Sequence, residues 1–168
     1  MGGTHGQRPQ ESPGAQAREP QTGLAQGRCA TRGEAKTRAK RPKQKFTVSH
    51  LNEADFDQGL RTYAKYRDLG LAAATAGMVQ AHVIRFIPPY RAEEVSTPHL
   101  HDVDLQMIYV LKGWYKTEFE GEGVHTFRAG SCWLQPPRIK HSVLGYSDDC
   151  ELLEIVLPAE FKTVTLKS

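Results

Sequence analysis

Residues 97–113 read Thr97-Pro98-His99-Leu100-His101-Asp102-Val103-Asp104-Leu105-Gln106-Met107-Ile108-Tyr109-Val110-Leu111-Lys112-Gly113. A spacing of two puts side chains on nearly opposite faces of a helix, but on one face of a strand, one pleat apart. His99 and His101 can therefore share a metal ion only if this segment is extended. Pro98 favours that geometry, because a proline pushes the residue before it, here Thr97, out of the helical region. Further along, Gln106, Ile108 and Val110 fall on one face by the same period. A third imidazole, His141, follows the Pro136-Pro137 break at the start of another strand-like run.

Outward from this stretch, short β-rich runs alternate with turn signals. Met78–Ile87 ends at Pro88-Pro89, Leu105–Leu111 at Lys112-Gly113, Trp114–Phe119 at Gly121-Glu122-Gly123, and Val124–Phe127 at Ala129-Gly130. Cys132–Leu134 ends at Pro136-Pro137, His141–Leu144 at Gly145-Tyr146-Ser147-Asp148, and Glu151–Leu157 at Pro158. Seven or so short strands at this spacing, with no βα alternation and no internal repeat, predict an all-β antiparallel sandwich or barrel. Upstream, Ser49 or Asn52 is placed to cap a short helix, with Glu53 and Asp55 in its first turn as the helix dipole favours. Helical-looking spacing continues through Tyr63–Leu69. The expected organisation is a helical preface over 46–77, with its helix at about Leu51–Leu69, and a barrel with a C-terminal extension over 78–168.

Residues 1–45 are different in kind. Leu24 is their only large aliphatic, and they contain no Val, Ile, Phe, Tyr or Trp. Such a segment cannot bury enough apolar surface to offset the entropy of ordering, so it is expected to be a disordered basic tail. It holds ten Lys/Arg against three acids, whereas residues 46–168 hold twelve against sixteen, so the overall charge of +3 belongs to the tail. A mildly acidic fold argues against nucleic-acid binding, and the tail reads as a bland extension before it reads as a polybasic arm. No apolar run approaches the roughly 18 residues of a membrane span, and no signal-peptide core is present. Three cysteines cannot build a disulfide framework. Cys132 and Cys150 read as buried free thiols of a cytoplasmic protein, with a Cys132–Cys150 bridge as the lesser alternative.

His99-x-His101-x4-Gln106-x6-Gly113 resembles the first motif of the cupin superfamily, whose usual form has Glu at the Gln106 position. Gly130-x5-Pro136-x-Arg138-x2-His141 resembles the second motif, with Arg138 where Gly is usual and Gly145 where an Asn commonly follows. The resemblance spans roughly residues 80–157. It implies a small jelly-roll β-barrel holding a divalent transition metal, with His99, His101, Gln106 and His141 as ligands, and a homodimer. The metal could be Fe, Mn, Ni, Co or Zn, since mixed N/O ligands suit them all.

Gln in place of Glu leaves three neutral imidazoles and a neutral amide around an M²⁺ ion. Such a site keeps its full charge, acts as a stronger Lewis acid and attracts anionic substrates. The expected function is that of a metal-dependent enzyme on a small, anionic organic molecule, through dioxygenase-like or Lewis-acid isomerase or lyase chemistry. The alternative is a non-catalytic ligand-binding or sensor cupin. His82 and Arg85 are competing catalytic candidates, because adjacent parity on one strand lets only one of them face inward. His82 would serve as an acid–base group, Arg85 as a holder of a carboxylate or phosphate. Asp102 and Asp104 read as solvated turn acids before they read as acceptors orienting the imidazole N–H groups. Arg138 is placed to gate the mouth. Trp114, Tyr115 and Trp133 read as barrel wall or dimer contact, and Ser142 has no context of a catalytic nucleophile.

Overall fold

The computed structural model describes residues 42–59 and 61–166. The basic tail lies outside the described residues apart from its last four. Eleven strands carry the described fold: β1 (Asp57–Gln58), β2 (Ala64–Asp68), β3 (Gln80–Phe86), β4 (His99–Asp102), β5 (Leu105–Lys112), β6 (Trp114–Phe119), β7 (Gly123–Arg128), β8 (Cys132–Leu134), β9 (His141–Tyr146), β10 (Glu151–Leu157) and β11 (Lys162–Thr165). They form two sheets of antiparallel neighbours, β1-β2-β3-β10-β5-β8 and β11-β4-β9-β6-β7. The architecture is the all-β one expected, and β6, β8 and β10 keep the limits that the turn residues set. Between β5 and β6 the chain reverses at Gly113, whose φ of 68° is open to glycine at little cost.

The two sheets face each other over one core. Phe86, Ile108, Val110 and Leu152 from the first sheet meet Tyr115, Val143 and Tyr146 from the second. Each such aliphatic or phenyl side chain stabilises the fold by roughly 1.5–3 kcal/mol when fully buried. Phe86 packs on Tyr146 with ring centroids 4.5 Å apart, and Tyr115 stacks along Trp133 at 5.9 Å.

The helix expected over Leu51–Leu69 is not formed. Asn52 does act as a cap, its side chain accepting from the Ala54 amide at 3.1 Å, but only a 3₁₀ turn, Glu53–Asp55, follows. Ala64–Asp68 is strand β2 instead, paired with β3 from Ala64↔Phe86 to Asp68↔His82. β3 would otherwise present an open ladder, and satisfying it outweighs a weak local helix preference. The remaining helices are single turns, α1 (Leu71–Ala74) and α2 (Ala92–Val95).

The segment before β1 straps the outer face of the first sheet. Phe56 lies under the Arg85 guanidinium at 3.8 Å, and Arg85 bridges Glu53 and Glu151, each at 2.6 Å. Cys150 is fully buried, and burial pushes its thiol up to about 12. Cys132, expected to be buried, is exposed on edge strand β8, and both thiols are free, so the alternative disulfide is not formed. Among the described residues, no helix is long and apolar enough to cross a membrane.

Candidate metal centre

The β4–β9 ladder brings the histidines together. His99 on β4 and His141 on β9 are register partners, and His101 lies one pleat further along β4. The candidate ligand nitrogens of His99, His101 and His141 all lie within 4.8 Å of one another. Ring centroids are 4.2 Å apart for His99 and His141, and 5.2 Å for His101 and His141. Backbone carbonyls set the tautomers of two of these rings. His99 Nδ1 donates to Thr97 O at 2.9 Å, and His141 Nδ1 donates to Ile139 O at 3.1 Å. Each Nε2 therefore keeps its lone pair for another partner. His101 Nδ1 sits 3.0 Å from the Thr163 hydroxyl on β11.

Burial lowers the pKa of all three rings, to about 4 for His101 and about 3 for His141, and at these two repulsion from neighbouring imidazoles adds to the effect. Near neutral pH the cluster is three uncharged imidazoles, the form in which histidine binds a metal.

Gln106, fully buried on β5, stands beside this cluster with both ends of its amide engaged. Its Nε2 donates to Glu154 Oε1 at 2.5 Å, and its Oε1 accepts from Gln135 Nε2 at 2.9 Å. A carboxylate can only accept, so Glu154 fixes which way the amide points. Gln135 Nε2 also lies 3.3 Å from His141 Nε2, so Gln135 links the Gln106 amide oxygen to the imidazole side. Glu154 shares a second contact with His82, Oε2 to Nε2, at 2.7 Å. Its side chain is only 12% exposed. Burial by itself would raise its carboxyl, but the hydrogen bonds and charge of His82 and the bond from Gln106 outweigh that and hold it below the ordinary range.

These groups share one cavity of about 360 Å³. Its polar wall includes His99, His101, His141, Gln106, Gln135, His82, Glu154 and Arg61, and its apolar wall includes Ile84, Phe86, Ile108 and Trp133. The parity question on β3 is thereby answered: His82 lines the cavity, and Arg85 is on the opposite face in the Glu53–Glu151 bridge. Asp102 is also turned away from the imidazoles, accepting from Arg138 Nη1 at 3.1 Å, while carbonyls and Thr163 serve the rings. Arg138 does not line the cavity. Tyr115 and Trp133 belong to its wall.

Sequence reasoning missed Glu154, Gln135, Thr163 and Arg61. Glu154 had a signal: it alternates with Leu152 and Val156, both core residues, so period two puts an acid on the inward face of β10. Arg61 had none, being in a loop whose position depends on β2.

Residues 90–156 match the family described as the cupin domain. Among solved structures, KdgF from Halomonas sp. is 21% identical with a TM-score of 0.52, over 67% of this chain and 96% of that one. The polyketide cyclase RemF from Streptomyces resistomycificus is 17% identical with a TM-score of 0.55, over 72% and 87%. The oxalate decarboxylase from Bacillus subtilis is 17% identical with a TM-score of 0.53, over 74% of this chain and 34% of that one, so this chain spans about a third of its length. These likenesses establish the fold. No curated protein sequence matches the chain.

Proposed function

We propose that this protein is a metal-dependent cupin enzyme that moves a proton on a small organic acid, in isomerase- or lyase-type chemistry. The observation that carries this reading is the placing of three neutral imidazoles and the His82–Glu154 pair in the walls of one cavity. His99, His101 and His141 would hold a divalent Fe, Mn, Ni, Co or Zn ion, with the Gln106 carbonyl oxygen as a fourth donor. Bound there, the ion would supply Lewis acidity towards a substrate oxygen. With its Nε2–H donated to the Glu154 carboxylate, His82 keeps its Nδ1 lone pair and, as a residue of the cavity wall, is the group to take up and return the substrate proton. Glu154 orients His82 with one oxygen and Gln106 with the other, so it ties the proton-transfer group to the amide. The apolar wall of Ile84, Phe86, Ile108 and Trp133 limits water around the reacting atoms.

The functional unit in this reading is the barrel over 78–168 with its preface. A homodimer is also proposed, because the outer face of β5 and β8 exposes Leu105, Tyr109, Leu111 and Leu134 side by side. A contiguous apolar face of this kind marks an interaction surface. The free thiols Cys132 and Cys150 support a cytoplasmic setting.

The test uses 2-oxo and 3-oxo acids in D₂O with protein reconstituted with each metal in turn. Deuterium incorporation next to the carbonyl, lowered by about 10²-fold or more in His82→Gln with metal retained, is the expected result. Ligands that raise thermal stability without exchange or turnover would overturn the enzyme reading in favour of a sensor.

A further inference from the structure

A cavity lined by neutral imidazoles and one engaged carboxylate also contains a cation without a counter-ion. Arg61 lines the cavity and is half-buried. Among the described residues no carboxylate lies within 4.0 Å of its guanidinium, and that guanidinium makes no hydrogen bond to them; only its backbone carbonyl is used, by Gln58 Nε2 and the Ala64 N–H. Three other arginines behave differently. Arg85 has two carboxylates, Arg138 has Asp102, and Arg67 donates to Ser49 Oγ at 2.8 Å. A second donor in the cavity wall is also unused. Trp133 Nε1 is buried with no hydrogen-bond partner. Buried N–H donors are seldom left unpaired, so each such group asks what it was placed to meet.

We propose that Arg61 is the residue that binds the carboxylate of the substrate, taking one end of a small organic diacid whose other end faces the imidazole cluster. The placement of that second end rests on the metal reading above. The planar guanidinium matches a carboxylate with two parallel N–H donors, and the low-dielectric wall strengthens the pair. Arg61 precedes the residues that match the cupin domain, so the preface and loop before β2, not the shared architecture of the barrel, supply this specificity.

The experiment uses the full chain loaded with Zn(II), as wild type, Arg61→Gln and Arg61→Lys. Calorimetry measures binding of malonate, succinate, glutarate and adipate, each against its neutral diamide, with zinc content determined on the same samples. Wild type is expected to bind at least one diacid tenfold or more tightly than its diamide. Arg61→Gln should lose about tenfold to a hundredfold of that affinity with zinc content unchanged, and Arg61→Lys should retain part of it. Equal diacid affinity in wild type and Arg61→Gln, or no preference of wild type for any diacid, overturns the proposal. Absence of zinc from wild type overturns the metal reading alone, and the same diacid contrast then decides Arg61 on the metal-free proteins.

Discussion

His99 and His141 are register partners on the ladder joining β4 to β9, with their rings 4.2 Å apart and each Nδ1 held by a nearby carbonyl. The pairing fixes both ring positions and both tautomers through backbone geometry. Conversion of either histidine to alanine should therefore abolish stoichiometric metal and the thermal shift that metal produces. The fold should survive in each case, since the apolar core is formed by other residues. Elemental analysis and melting curves of His99→Ala check this; full metal occupancy would exclude His99 as a ligand.

The buried rings make the metal-free protein acid-sensitive. His99, His101 and His141 have pKa values lowered by burial, so between the unfolded value near 6.5 and their folded values the unfolded chain binds more protons. Their stability contribution is complete above pH 6.5 and is lost as the pH falls towards 4 and 3. The lowered Glu154 carboxyl acts in the same direction below its unfolded value of 4.5. Metal-free protein should lose stability on the order of a few kcal/mol between pH 7 and pH 4, because each tenfold change in proton affinity is worth about 1.4 kcal/mol and the neighbouring rings share the effect. Melting temperature followed across that range should fall. A flat or rising profile would mean the rings are not buried as neutral groups.

Strands β5 to β8 and β10 were legible because each is a short β-rich run with Gly or Pro within two residues of its end, so that β6, β8 and β10 match the turn-bounded runs, whereas β9 continues through the Gly145 expected to end it, to Tyr146. Strands β1, β2 and β11 were not, since two, five and four residues carry too little periodicity and form where a neighbour offers an open ladder. The same division holds in the cavity. His99, His101, Gln106 and His141 could be placed by strand parity and motif spacing. Which of His82 and Arg85 faces inward could not, because either parity suits β3 until its partners are known. The strap of Phe56 and Glu53 over the outer face takes Arg85, and Glu154 across the ladder takes His82.

Glu154 should control the amide of Gln106. Glu154→Gln replaces an acceptor-only group with an amide that can donate, so Gln106 loses the constraint that directs its oxygen. The expected outcome is metal affinity weakened about 10–100-fold, as for other partners that orient ligands, with little change in overall fold. Gln106→Glu acts oppositely: a second carboxylate beside Glu154 should lower the melting temperature of metal-free protein, and metal should restore it by a larger shift than in wild type. Competition with a chelator and paired melts read both effects. Unchanged metal affinity in both variants would show that the Gln106 amide plays no part in holding the ion.

Arg85 should matter to stability and not to chemistry. Arg85→Ala removes a cation stacked on Phe56, a contact contributing about 0.5–1 kcal/mol, and releases the strap over the first sheet. A lower melting temperature with unchanged metal content and unchanged diacid binding is expected. Loss of diacid binding would return Arg85 to the role assigned to Arg61.

The exposed apolar face should set the oligomeric state. Leu134→Glu on β8 places a charge where a dimer would bury it, so sedimentation should show a dimer for wild type and a monomer for the variant. A monomeric wild type would leave the face without a second copy as its partner.

Elemental analysis of the untagged protein beside its His141→Ala variant is the most direct test of the metal centre. About one Fe, Mn, Ni, Co or Zn per wild-type chain, and none in the variant, is the outcome expected from three converging neutral imidazoles. A wild-type protein that takes up no metal even after reconstitution, or a variant that retains a full equivalent, would contradict it.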